Sequence, residues 1–187
     1  MAKAIISKAL LVRIGYAVIE KIRENTDKGF DQDGKPFEKY SSNPLKIPAG
    51  AFFAPGWKTT GKRLIKNKEA AYRRKNGKYW VLVPGGYAKL KSSRFPQDGG
   101  RVNLHVTGNL LNSIDVIKNG DDYVVIGFNN KEAATKAIYH QIMGAGKRKV
   151  IRKFLGLPDN EIAKIMADFE HLITAEIDNK LLFQILK

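Results

Sequence analysis

Cysteine is absent from the 187 residues, which excludes disulfides, thiolate metal sites and thiol nucleophiles together. Histidine occurs only at His105, His140 and His171, never in a pair at metal-ligand spacing beside a carboxylate. No apolar run approaches the ~18 uncharged residues of a membrane-spanning helix, and the stretch after Met1 lacks an apolar core with a small-residue cleavage site. Neither secretion nor a membrane partner is expected. Acidic residues are sparse, 18 against 33 lysines and arginines, so the net charge is +15. That imbalance points toward nucleic acid or an acidic protein surface as a partner.

What remains is an ordinary globular composition. Hydrophobic residues make up 43% and charged residues 27%, so a folded domain is expected rather than a disordered chain. The length suits one domain. The charge is concentrated: between Lys58 and Arg101 thirteen basic residues face two acidic ones, a net +11.

Ile6, Leu10, Ile14, Ala17, Val18 and Ile22 recur at helical spacing and predict an N-terminal amphipathic helix from about Lys3 to Arg23. Asp31 to Pro36 is a run of turn residues, and Pro44, Pro48 and Pro55 predict an irregular connection from Ser41 to Trp57. Lys62 to Lys75 is readable as a basic helix or as a mobile arm. Tyr79 to Val83 predicts a strand that stops at Pro84-Gly85-Gly86. Val102 to Val106 leads into Thr107-Gly108, where threonine caps a short turn carrying Leu110, Leu111 and Ile114. Ile114 to Ile117 and Tyr123 to Gly127 predict a hairpin closed tightly by Asn119-Gly120. A helix from about Lys131 to Met143 is ended by Gly144 and Gly146. A last helix opens at Pro158 with a buried stripe of Ile162, Ile165, Met166, Phe169, Leu172, Ile173 and Ile177. This order predicts an α+β fold, a mostly antiparallel sheet packed against an N-terminal helix and two C-terminal helices.

Catalytic signals are weak. Gly56 to Lys62 has the spacing of a phosphate-binding loop, but Arg63 stands where a magnesium-ligating Ser or Thr belongs and Ala54-Pro55 does not end a strand, so chance explains it. His140 stands late in its helix, where it reads as a partner for helix-end carbonyls and their dipole rather than as a base without an orienting group. Ser113 and Thr107 lack a nucleophile elbow. A non-enzyme without cofactor or metal is expected.

The basic stretch is interleaved with Trp57, Tyr72, Tyr79, Trp80, Tyr87 and Phe95, a mixture that suits phosphates and bases, although strand cores use the same aromatics. Candidate contacts to an anionic partner are Lys58, Lys62, Arg63, Lys66, Lys68, Arg73, Arg74, Lys75 and Lys78. The stretch is expected to protrude, to stay outside the core and to contribute little to the fold. Whether it meets DNA or an acidic protein is open at this point.

Three separated stretches resemble the phage virion-morphogenesis family, which includes the Mu-type tail-completion proteins. They are Asp33-Gly34-Lys35-Pro36-Phe37-Glu38-Lys39-Tyr40, then Leu104 to Ile114 with Thr107, Gly108, Leu110 and Ser113, then His140-Gln141 and Gly144 leading to Arg152, Phe154, Leu155, Gly156 and Leu157. Val150 and Lys153 stand where the family usually has prolines, and nothing is carried over to Ser41 to Arg101, which looks divergent or enlarged. The resemblance implies one virion-morphogenesis domain with a basic segment inserted at about 58–101. It further implies a structural protein of tail completion or head-tail joining, made in the host cytoplasm and built into the virion. Its partners would be other neck or tail proteins and further copies in a ring. The alternative reading is a nucleic-acid-binding module that uses residues 58–101, with DNA as partner. Physically, Phe154 and Leu155 are expected as buried anchors between the sheet and the last helix.

Overall fold

The computed structural model describes residues 6–105 and 107–185. In chain order its elements are α1 (Lys8–Lys28), β1 (Leu45–Pro48), α2 (Ala49–Phe52), α3 (Lys58–Lys66), β2 (Ala71–Lys75), β3 (Lys78–Val83), α4 (Gly86–Arg94), α5 (Asn109–Asn112), β4 (Ile114–Asn119), β5 (Val124–Phe128), α6 (Lys131–Ile138) and α7 (Asp159–Ile185). A π-helical turn, Tyr139–Met143, continues α6. The fold is α+β with antiparallel pairing throughout the described strands. One mostly antiparallel sheet was the expectation; two small ones form instead, β1-β3-β2 and β4-β5. They belong to different compact units, the first comprising Met1–Phe37 and Asn103–Lys187, the second Glu38–Val102. Where the sequence reads as one domain with a basic segment at 58–101, the second unit is thus wider than that segment at both ends.

In the first unit, the predicted N-terminal helix is α1; Lys3 lies outside the described residues, and the helix runs on to Lys28. Leu10, Ile19 and Ile22 are buried. Gly15 lets α1 cross the β4-β5 hairpin at close range, since a Cβ there would sit 3.2 Å from methyls of Val116 and Val124. Ser7 starts the helix by accepting the Leu10 N–H, while its own N–H and hydroxyl donate to the Glu176 carboxylate of α7, each at 2.6 Å. The α7 stripe expected to be buried is only partly covered. Ile162 and Met166 are exposed, and Ile165, Phe169, Leu172, Ile173 and Ile177 are half-buried, with α1 packed along α7.

The β4-β5 hairpin forms as predicted, but its turn differs. Asn119 pairs with Val124, leaving a four-residue connection in which the Gly120 N–H donates to the Tyr123 carbonyl. Gly120 does not take a positive φ. It is small because the Tyr123 ring lies over it, where a Cβ would come within 2.3 Å of a ring carbon. The two-residue Asn-Gly turn occurs instead at Asn76-Gly77, with φ of 49° and 73°, closing β2 onto β3.

In the second unit, β3 is central, with Ile47 and Tyr72 opposite Val81, and Leu45 opposite Val83. Val81 and Val83 are fully buried and pack with Phe52 of α2, Leu64 of α3, Ala70 and Leu90 of α4. Each such aliphatic side chain removed from water contributes about 1.5–3 kcal/mol. The predicted strand Tyr79 to Val83 is therefore present, whereas three expectations need correction. The connection from Ser41 to Trp57 contains β1 and α2, since proline is tolerated on an edge strand. Lys62 to Lys75 is neither a single helix nor an arm, being the end of α3 followed by β2. The basic stretch does not stand outside the core. It builds one, and it buries Lys91 to 2% exposure, with the ammonium 3.2 Å from the Asp98 carboxylate and 4.1 Å above the Phe95 ring. A buried cation is tolerable when paired in this way.

Candidate functional site

The motif residues of the first unit assemble around the ends of short elements. Gly108 takes φ 78° before α5, and the Thr107 hydroxyl accepts the Asn109 N–H at 3.3 Å, so threonine acts one position ahead of the cap it was expected to form. Leu110 and Leu111 are buried on α5, while Ile114, expected both with that turn and as the start of the hairpin, is the buried first residue of β4. Val106 lies outside the described residues. Ser113 is the joint: its hydroxyl donates to the Asn109 carbonyl and accepts the Asn130 side-chain N–H at 2.6 Å, and the Asn130 oxygen caps α6 by accepting the Ala133 N–H. Arg23 of α1 completes the joint by donating to the carbonyls of Leu111 and Ile114 at 3.0 and 2.7 Å, satisfying one carbonyl at the end of α5 and one at the start of β4.

The first and third stretches meet directly. The Gln32 N–H donates to the Lys153 carbonyl at 2.7 Å, and Gly156 lies against Gln32, where a Cβ would be 3.1 Å from its side chain. The Asp31 carboxylate organises the turn by accepting N–H groups of Asp33 and Lys35. Phe154 is 1% exposed and edge-on to Phe128 of β5 at 6.3 Å. Leu155, expected as a second buried anchor, is only half-buried. Both residues donate their N–H to the Gln141 side-chain oxygen, at 2.5 and 3.3 Å.

The π-helical turn half-buries its polar residues His140 and Gln141. Arg152, itself buried, donates its N–H to the His140 carbonyl at 2.7 Å. Burial, and then the Arg152 charge, hold the His140 imidazole below its usual pKa, so the ring is neutral at pH 7. Its buried Nδ1 has no hydrogen-bond partner among the described residues. The expected charged donor at a helix end is therefore not what forms; the His140 backbone carbonyl carries the contact instead. Outside, Ile138, Tyr139, Ile142 and Met143 are exposed, Ile142 to 70%, and Ile151 joins them in exposure. Polar residues facing in and apolar residues facing out invert the usual pattern of a surface helix.

The anionic-partner candidates fall on three elements of the second unit. Lys58, Lys62 and Lys66 repeat every four residues along the exposed side of α3, opposite its buried Thr60 and Leu64. Arg63 turns aside and donates to the Ser93 carbonyl. Lys68 occupies the turn after α3, and Arg73, Arg74 and Lys78 are exposed on the β2-β3 hairpin. The Lys75 side chain lies outside the described positions, though its backbone pairs with Lys78. Lys58 and Lys62 sit inside helix α3, which follows the short helix α2 rather than a strand, so Gly56 to Lys62 does not adopt the strand-loop-helix order of a phosphate-binding loop. A cleft of about 280 Å3 lined by Arg63, Asn67, Glu69, Lys89 and Ser92 holds its own ion pair, Lys89 to Glu69 at 2.7 Å.

Sequence reasoning missed Arg23 and Asn130. Asn130 carried a readable signal, an asparagine directly before the helical run from Lys131; Arg23 carried none, because a carbonyl clamp depends on which helix end the fold brings to it. Among the described residues no group of three or more His, Asp and Glu side chains gathers where a metal ion could bind, and no helix is long and apolar enough to cross a membrane. Comparison with known proteins finds no matching family model, no similar curated protein and no similar solved structure.

Proposed function

We propose that the chain is a structural, non-enzymatic protein of phage virion assembly, acting in tail completion or head-tail joining at the neck as one copy of a ring. The observation that carries this reading is a coincidence of boundaries. All three stretches of the family resemblance fall in the first unit, apart from Glu38, Lys39 and Tyr40 at its edge. The divergent stretch, Ser41 to Arg101, falls wholly within the second unit, Glu38–Val102. A resemblance produced by chance spacing has no reason to respect a structural boundary. The residues it involves hold the framework together through Ser113, Gln141 and Gly156, which are scaffold roles rather than chemical ones.

The inverted face at Ile138, Tyr139, Ile142 and Met143 supports assembly, since apolar side chains clustered on a surface are covered in many proteins by another subunit. Light scattering after size exclusion is expected to give a discrete oligomer well above the 20.9 kDa of one chain. Ile142→Asp is expected to dissociate it while leaving thermal stability within about 0.5 kcal/mol of the parent, because the residue is exposed in the single chain. A strict monomer at every concentration, with or without the neighbouring neck and tail proteins, overturns the reading.

A further inference from the structure

The β2-β3 hairpin of the second unit sets its arginines against aromatic rings. No acidic residue occurs between Glu69 and Asp98, so β2 and β3 hold no carboxylate to pair with their cations. Two successive cross-strand pairs instead set an arginine against an aromatic: Arg74 opposite Tyr79, and Arg73 opposite Trp80. Successive pairs point to opposite faces of a sheet, so each face receives one. The Arg74 guanidinium lies 5.8 Å from the Tyr79 ring centroid. Tyr79 in turn stacks on Tyr72 with centroids 5.2 Å apart and planes 18° from parallel, and both rings remain about half exposed. Tyr72 is backed by Phe53 at 6.2 Å. On the other face, Trp80 is half-buried among exposed Arg73, Lys46, Pro48 and Lys78. The two-residue turn at Asn76-Gly77 fixes the register of all these pairs.

We propose that the β2-β3 hairpin is a binding element for single-stranded nucleic acid, with bases stacking on Tyr72, Tyr79 and Trp80 and phosphates meeting Arg73, Arg74 and Lys78. Charge selects a polyanion: the second unit holds fifteen basic and three acidic residues, +12 of the chain's +15. The aromatics select among polyanions. Half-exposed rings favour unpaired bases, which offer flat faces to stack on, over a duplex, whose bases are closed to a flat sheet face. A guanidinium lying over a ring still directs N–H groups outward to phosphate oxygens. Ring exposure and parallel stacking, rather than charge alone, separate this hairpin from the lysine row on α3. The inference is independent of the assembly reading.

Fluorescence anisotropy with labelled oligothymidylate and oligouridylate, a duplex of equal length, and polyglutamate as competitor tests it on the full chain. Single strands are expected to bind more tightly than the duplex, with affinity falling steeply as salt rises. Replacing Tyr72 and Tyr79 together by alanine is expected to weaken single-strand binding roughly tenfold or more, and replacing both by phenylalanine to retain it. Arg73→Gln with Arg74→Gln is expected to reduce the salt slope by about 1–2. Equal affinity for the duplex, displacement by polyglutamate at matched charge, or unchanged binding in the alanine pair overturns the proposal. Should the alanine pair unfold, the phenylalanine and arginine pairs decide alone: lost binding in the first, or an unchanged slope in the second, overturns it. Light scattering on the same variants keeps this outcome separate from assembly, since the oligomer is expected to persist in each.

Discussion

Truncation of Phe154 to alanine is expected to destabilise the protein by about 3–5 kcal/mol, the range for deleting a buried phenylalanine ring. The ring is 1% exposed, and it sits edge-on to Phe128 where the chain returns from the π-helical turn toward α7. The cavity cannot collapse easily, because the backbone on either side is fixed: Phe154 and Leu155 both donate to Gln141, and Arg152 donates to the His140 carbonyl. A domain whose whole stability is about 5–15 kcal/mol would lose a large part of it. The melting temperature should fall by roughly 10 °C or more, and soluble yield with it. A melting temperature equal to the parent's would mean that the ring is not buried in solution and that the loop from Gly144 to Gly156 is docked differently.

Gly144→Ala is expected to be comparably severe for a different reason. Gly144 ends the π-helical turn with φ 80° and ψ 133°, a combination that a Cβ disfavours. Space is lacking as well, since a Cβ would meet the Lys149 carbonyl oxygen at 2.2 Å and its carbonyl carbon at 2.4 Å. These are backbone atoms of the turn that the Ala145-Val150 bridge closes and cannot swing aside like the end of a side chain. Strain of about 1–3 kcal/mol and overpacking of about 1–3 kcal/mol together give a loss of roughly 2–6 kcal/mol. Gly146→Ala is the control. Its φ is 71° but nothing lies within 4 Å, so only the left-handed penalty of about 1–2 kcal/mol applies. Urea denaturation should show a larger midpoint shift for residue 144 than for 146, and equal shifts would refute the close approach to Lys149.

The α+β class and most elements were legible in the sequence because they rest on local signals. Apolar spacing located α1, the β-branched and aromatic run located β3, and the two apolar runs flanking Asn119-Gly120 located β4 and β5. Where the reading failed, the deciding interaction was distant. Nothing near Asn119-Gly120 says that Tyr123 will lie over the glycine, and nothing near Asn76-Gly77 advertises a hairpin, because β2 reads Ala-Tyr-Arg-Arg-Lys and shows its apolar face only against Phe53 and Val81. Charge misled in the same way. Thirteen basic residues looked like a surface arm, yet Thr60, Leu64 and Lys91 face inward among them. For the motif residues, the turn at Gly108 was readable from composition, while the bonds of Ser113 to Asn130 and of Gln141 to Phe154 join positions 17 and 13 residues apart and need the fold to be seen.

The discontinuity of the first unit has a consequence for how the chain is made. As the ribosome delivers the protein, α1 emerges first with Leu10, Ile19 and Ile22 needing cover, yet its partners in β4, β5 and α7 follow only after all of Glu38–Val102 has been synthesised. The Ser7 to Glu176 contact closes over 169 residues. The second unit has no such wait: its strands pair within a few tens of residues, and contacts of short sequence separation form fastest. It is therefore expected to be finished while the apolar face of α1 is still uncovered, which makes the nascent chain a client for chaperones during that interval. Pulse-labelled hydrogen exchange in refolding should find the amides of β3 protected before those of α1. Simultaneous protection would show that the two halves of the first unit find each other without waiting for the insert.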